Sequence, residues 1–482
     1  MSRPVHALSA ADFAALAAGG GGPAAIAQLV GAEHRNHLLL LSGVVNEARA
    51  TGHREATLAA EGYSLLCAAR DRNPDAALRV IRYPSVGAWA LRTLLALRGG
   101  QVVPGATPGG LRAVAAAAAL RAGQPAEIMI GAVNGLATLP SLGAAFVSMD
   151  TVFVRSLGGT VTVGPVRLPG DPHLDGPGWI GLRRVRAGAL DVLIDDLDPF
   201  RHPATSSPPE RQAVDSWTEM LVQAWAVLQA HHPRIAAEVA GAVQVITPIA
   251  TSAGRRESSS SPELFGTVAM SLPPDPVTGA EALAHEIQHV KLGALLNEVK
   301  LTLPDDGSRY YAPWRADPRP VSGLLQGAYA YLGVSGFWRR QRRQWGHEEH
   351  GDAEFARWRA AAATAVATLQ SSGRLTDDGL EFVAGMAGTL GPWQHEFVSA
   401  AALASAEREA SGHLARWQAA HGTATAGLSA TGQTSGVAAP MTLSVISGSS
   451  TRPRSQIFFE CLLKLAAREG RHRRSSRSRG TP

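Results

Sequence analysis

The chain has 482 residues, of which 45% are hydrophobic and 18% charged, and a formal net charge of +5. That balance excludes a mainly disordered chain and a small scaffold held by disulfides, and it leaves enough apolar sequence for more than one core. The positive charge is local: Arg471, Arg473, Arg474, Arg477 and Arg479 fall in the last twelve residues, which hold no acid, and the rest of the chain is neutral. A Ser/Arg-rich terminus of this kind reads as a solvated tail, so the charge does not point to nucleic acid.

In chain order, residues 1–123 read as an N-terminal helical region. Apolar residues recur at helical spacing in 37–45 and 59–69, and Pro74, Pro84, Pro104 and Pro108 interrupt the pattern. The four glycines at 19–22 predict a turn; a phosphate loop needs a preceding strand and a following Lys-Ser/Thr, and both are missing. Residues 124–207 form a β-rich segment, with strands at 127–130, 151–154, 160–163 and 189–195 separated by Gly-Gly and Gly-Pro signals.

Residues 208–421 form the region that carries chemistry. A helix at 208–232 bears a core stripe of Trp217, Leu221, Trp225 and Leu228. A strand at 243–249, a polar loop at 251–262 with four consecutive serines, a strand at 264–272 and a helix at 279–298 follow. Further helices are expected at 321–345, 350–371 and 376–420, then a linker at 422–452 and a short helix with the basic tail at 453–482. The fold class is α+β, predominantly helical.

Cys67 and Cys461 are too few and too far apart for a disulfide framework or a cysteine zinc module, and neither has an adjacent base that would make it a nucleophile. No basic-then-apolar leader and no apolar run of membrane-spanning length occurs, so a cytoplasmic protein with no membrane partner is expected.

The most informative stretch is Ala284-His285-Glu286-Ile287-Gln288-His289, an H-E-x-x-H sequence within a helix. Residues four apart share a face, so both imidazoles can reach one divalent metal while Glu286 addresses a metal-bound water or substrate. Chance supplies this pattern only about 0.02 to 0.03 times in a chain of this composition. A catalytic metal normally takes three protein ligands, yet residues 290–299 contain no histidine; Glu298, Gln326, Tyr331, His347, Glu348, Glu349, His350 and His395 remain as candidates. The strand just before the metal helix, at 267–272, reads equally as an ordinary strand or as an edge for an extended peptide.

Other histidines have simpler readings. His347-Glu348-Glu349-His350, following Arg339-Arg340-Gln341-Arg342-Arg343, reads as a charge-paired helix, and His231-His232-Pro233 as a helix-end cap. His395-Glu396 has no partner at ligand spacing.

With this motif, the segments Tyr311-Ala312-Pro313-Trp314-Arg315-Ala316-Asp317-Pro318-Arg319-Pro320 and Gly323-Leu324-Leu325-Gln326-Gly327-Ala328-Tyr329, together with the leucines at 38–41, resemble the actinobacterial HExxH-motif proteins associated with ribosomally made, modified peptides. The likeness extends to about residue 420. Several members of that group are similar to iron(II)/2-oxoglutarate-dependent peptide β-hydroxylases. The resemblance implies Fe(II) held by His285, His289 and a distal residue, for which Gln326 is the choice, and 2-oxoglutarate whose second carboxylate meets the planar fork of Arg319 or Arg315. It implies a precursor peptide as substrate, with other peptide-modifying enzymes as further partners. Two alternatives stay open: a zinc-dependent peptidase in which Glu286 is the general base, and a non-catalytic peptide-binding protein with a structural or absent metal.

Overall fold

The computed structural model describes residues 8–201, 213–250, 257–344 and 349–422. Its first part is helical: α1 (Ala10–Ala17), α2 (Gly22–Ala50), α3 (Ala56–Arg72), α4 (Pro74–Ile81), α5 (Pro84–Leu97) and α6 (Leu111–Ala122). Proline starts helices here rather than ending them, because its missing N–H costs nothing in a first turn. Pro74 and Pro84 each open a helix, and the Asn73 side chain caps α4 by accepting from the backbone of Ala76 at 3.1 Å.

Nine strands follow: β1 (Ala126–Gly131), β2 (Leu136–Leu139), β3 (Gly143–Phe146), β4 (Thr151–Leu157), β5 (Thr160–Val163), β6 (Val166–Arg167), β7 (Trp179–Gly181), β8 (Arg183–Ala187) and β9 (Leu190–Ile194). The remainder runs α7 (Ala213–His231), α8 (Pro233–Ala242), β10 (Val245–Pro248), β11 (Ser258–Ser259), β12 (Thr267–Met270), α9 (Pro276–Glu298), α10 (Val321–Gln344), α11 (Glu349–Ser371), α12 (Asp377–Gln394) and α13 (Ala400–His421). The protein is therefore α+β and predominantly helical.

Two small antiparallel sheets, ordered β1-β4-β5-β6 and β2-β3-β7, lie in the first half. The third sheet, β11-β12-β10-β9-β8, carries parallel β12, β10 and β9 at its centre with an antiparallel strand on either side. Parallel strands need a crossover. Here α7 and α8 supply it between β9 and β10, and the four tryptophan and leucine positions of the α7 stripe are all buried.

Two hydrophobic cores result. One gathers the start of α2 through Ile26 and Leu29 with Trp225 of α7, Ile287 of α9, Phe337 of α10 and Phe382 of α12. The other gathers the end of α2 through Leu40, Leu41 and Val44 with Trp89, Ala115, Ile130 and Trp179. The 29 residues of α2 make a rod of about 43 Å that belongs to both. Among the described residues no single helix is long and apolar enough to cross a membrane.

Three sequence expectations change. Strand β12 is not an edge: it pairs with β10 on one side and with β11 on the other, Ser258 opposite Met270 and Ser259 opposite Ala269. Thus two of the four serines expected in a loop form a strand. His232 is no helix-end cap by its side chain; it is 1% exposed, stacks on Phe337 at 4.3 Å and bonds Gln341 Oε1 at 2.9 Å, because burial leaves an imidazole no water to pair with. Arg339, Arg342 and Arg343 pair with Glu396, and Arg342 also with Asp352. His347, Glu348, the short helix expected at 456–469 and the basic tail lie outside the described residues.

Candidate metal centre

Helix α9 starts at Pro276, three residues before the expected start at residue 279. Asp275 accepts from the backbone N–H groups of Val277 and Thr278 at 3.0 and 2.9 Å, and Pro276 fills the first helical position. The helix is buried along almost its whole length, and its polar residues are tied down one by one. Gln288 donates to the carbonyl of Gly19 at 3.0 Å, and Lys291 Nζ to those of Gly19 and Gly20 and to Glu238 Oε2 at 2.7 Å. The glycine turn that joins α1 to α2 is thus an acceptor platform for α9. Gly19 takes φ of 80°, which glycine reaches without steric cost.

On the next face, His285 Nε2 and His289 Nε2 converge to 3.2 Å. One metal bonded to both nitrogens at about 2.1 Å would subtend roughly 100°, between the tetrahedral and cis-octahedral angles. Burial holds the His285 imidazole well below its ordinary pKa, with His289 adding to the effect, so it stays neutral with a lone pair for a metal. Helix α10 steadies both rings. Gln326 Oε1 accepts from His289 Nδ1 at 3.1 Å, which puts the proton on Nδ1 and leaves the Nε2 lone pair free. Tyr331 sets its ring edge-on to His285 at 5.2 Å.

Glu286 lies beside this pair and is fully buried. Ser258 on β11 donates to its Oε1 at 2.6 Å, and the same oxygen lies 3.9 Å from His285 Nε2. Burial pushes the Glu286 carboxyl up from its ordinary pKa, while His289, Ser258 and Ser260 pull the other way. Ser260 stands close enough to polarise the carboxyl but outside hydrogen-bond geometry, so Oε2 has no partner.

The loop after α9 is anchored by Trp314, which fits over Gly327 and packs at a tilt against Tyr331, ring centroids 4.8 Å apart; Tyr331 in turn stacks on Trp358 at 4.3 Å. That loop carries both candidate arginines, and they converge on one carboxylate. Arg315 Nε donates to Asp317 at 2.7 Å and Arg319 Nη1 to the other oxygen at 3.2 Å, and Arg319 Nε is buried without a partner.

The structure therefore brings His285, His289, Gln326, Tyr331 and Glu286 together. It places Gln326 behind His289 rather than beside the two Nε2 atoms, which is the position of a residue that orients a ligand. Glu298 is elsewhere, 4.0 Å from Arg35. Among the described residues no group of three or more His, Cys, Asp or Glu side chains is arranged to hold a metal. Sequence reasoning missed Ser258 and the Lys291–Glu238 pair. The serine run before the second strand was the one signal for the former; the latter joins distant segments and leaves no local pattern.

No protein-family model matches the chain, and no curated protein matches it.

Proposed function

We propose that this protein is a metal-dependent oxygenase that hydroxylates a residue of a ribosomally made peptide, with Fe(II) on His285 and His289 and 2-oxoglutarate as cosubstrate. The observation that supports it is the 3.2 Å convergence of the His285 and His289 Nε2 atoms, with Gln326 bonded to the other ring nitrogen of His289. A hydrolytic zinc centre draws three ligands from its protein. A non-haem iron centre likewise takes two histidines and a third ligand, and keeps positions open for a bidentate cosubstrate and oxygen. When bound, iron with 2-oxoglutarate supplies the oxidising power for the reaction.

The chain's own residues do the rest. Gln326 and Tyr331 orient the imidazoles, Ser258 holds Glu286 beside them, and the loop between α9 and α10 carries Arg319 and Arg315, the candidates for the carboxylate of the cosubstrate. Anaerobic titration of Fe(II) and then 2-oxoglutarate into the purified protein tests this reading. The expected result is a weak visible charge-transfer band, absent from His285→Ala; tight zinc binding without any band sinks it.

A zinc peptidase is the second reading, favoured by one feature: Glu286 Oε1 lies 3.9 Å from His285 Nε2 with a raised pKa, the placing of a general base. Glu286→Gln separates the two, since a peptidase variant keeps its zinc and loses all cleavage.

A further inference from the structure

A cavity of about 390 Å³ opens in the second core, within the size range of small-molecule sites and lined by none of the residues of α9 or α10. Its walls come from α5, α6, β1, β2 and the 198–200 loop, and Trp89, Met129, Val133, Leu136 and Phe200 make it mostly apolar. Two carboxylates, Glu55 and Asp198, stand in this wall with the hydroxyls of Thr107 and Thr138. The Glu55 side chain is 19% exposed and so open to a molecule in the cavity, whereas Asp198 is buried.

Among the described residues both carboxylates are hydrogen-bonded by neutral donors alone. Glu55 Oε2 accepts from the Gly109 N–H at 2.9 Å, and Asp198 accepts from Ser85 Oγ at 2.6 Å and from the Phe200 N–H at 2.8 Å. The nearby cations are engaged elsewhere. Arg112, also in the wall, is paired with Glu61, and Arg201 donates to the backbone carbonyl of Asp198 rather than to its side chain. Arg54 Nε stays 3.9 Å from Glu55 Oε1 on a side chain that is 87% exposed, a contact that water screens. Burial, with Asp195 beside it, pushes the Asp198 carboxyl above its ordinary pKa, as expected of an acid that no cation compensates. Carboxylates set in an apolar wall act on a charge in the cavity with little loss to solvent, so they attract a cation and repel an anion.

We infer that this cavity is a binding site for a small organic cation, an ammonium group on an apolar body, whose charged end meets Glu55 while the body lies against the apolar walls. It is separate from the His285–His289 centre and does not depend on the function proposed for it. Asp198 adds its charge from within the wall, and the hydroxyls of Thr107 and Thr138 are further acceptors for the ammonium hydrogens.

Fluorescence titration of the full chain with dansylcadaverine, a primary ammonium on a naphthyl body, tests the inference against its N-acetyl derivative, which is uncharged. The expected result is saturable, blue-shifted binding of the amine that His285→Ala leaves unchanged, with the acetylated dye about tenfold weaker. Glu55→Gln keeps an acceptor for the Gly109 N–H and removes the charge; it should weaken the amine about tenfold and leave the acetylated dye unaffected. Leu136→Trp and, as a milder filling variant, Ala113→Leu should each abolish or sharply weaken binding of the amine while the far-ultraviolet circular dichroism is retained. Absence of saturable binding overturns the inference, as does binding that is indifferent to both filling variants or lost in His285→Ala. Equal affinity for the two dyes, or a Glu55→Gln variant that binds the amine as the parent does, overturns the cationic character of the ligand.

Discussion

Gln326 Oε1 lies 3.1 Å from His289 Nδ1, on the opposite edge of the imidazole from the Nε2 that faces His285. One hydrogen bond between two helices thus selects which nitrogen of His289 is free for a metal. Partners of this kind typically account for 10- to 100-fold in metal affinity.

Gln326→Leu should therefore weaken binding of Fe(II) or Zn(II) by about 10- to 100-fold, measured by calorimetry under anaerobic conditions, while His289→Ala removes it. If the two variants lose metal equally, Gln326 is itself a ligand and the orienting role is wrong.

Lys291 and Glu238 form a buried pair at 2.7 Å, each almost without solvent. Removing one partner strands the other charge, which costs about 3 to 5 kcal/mol. Lys291→Met should lower the urea midpoint accordingly, and adding Glu238→Leu should restore much of the loss. A single variant as stable as the parent would mean that the pair contributes little beyond packing.

Glu33 is buried between Asn36 and Asn297, and burial raises its pKa from 4.5 to about 7. The folded state alone keeps the proton between those values, so this contribution is full below about pH 4.5 and is lost as pH rises through about 7. The size is about 3 kcal/mol. Glu33→Gln keeps the acceptor for Asn297 and cannot ionise. Its stability relative to the parent should rise by that amount across the window, read from denaturation midpoints at both ends.

Gly327 leaves room for the Trp314 ring, and a Cβ there would fall 2.2 Å from it. Gly327→Ala should cost about 1 to 3 kcal/mol by forcing Trp314 aside. Because Trp314 backs Tyr331 and Tyr331 backs His285, metal affinity should fall as well. Thermal unfolding and metal titration of the same variant read the two effects; an unchanged melting temperature would show that the loop yields freely.

The local features of this protein were legible in its residues. Four-residue spacing put His285 and His289 on one face, the stripe from Trp217 to Leu228 marked a buried helix, and the glycines at 19–22 marked a turn. Each of these depends on neighbours along one element, where helix and turn geometry translate directly into sequence. Periodicity did not reveal the start of α9, because the Asp275 cap and Pro276 act before the first apolar residue.

What touches the site was decided by tertiary structure. Ser258 reaches Glu286 across 28 positions, Gln326 reaches His289 across 37, and Lys291 reaches Gly20 across 271. Strand β12 changed from a possible edge to an interior strand because a short serine segment returned to pair with it. Such contacts join residues through space after the chain has packed, and no period or local propensity encodes them. Sequence alone determined which side chains can bind a metal; packing decided how each is aimed, with Gln326 at the back of an imidazole and two arginines drawn to one aspartate.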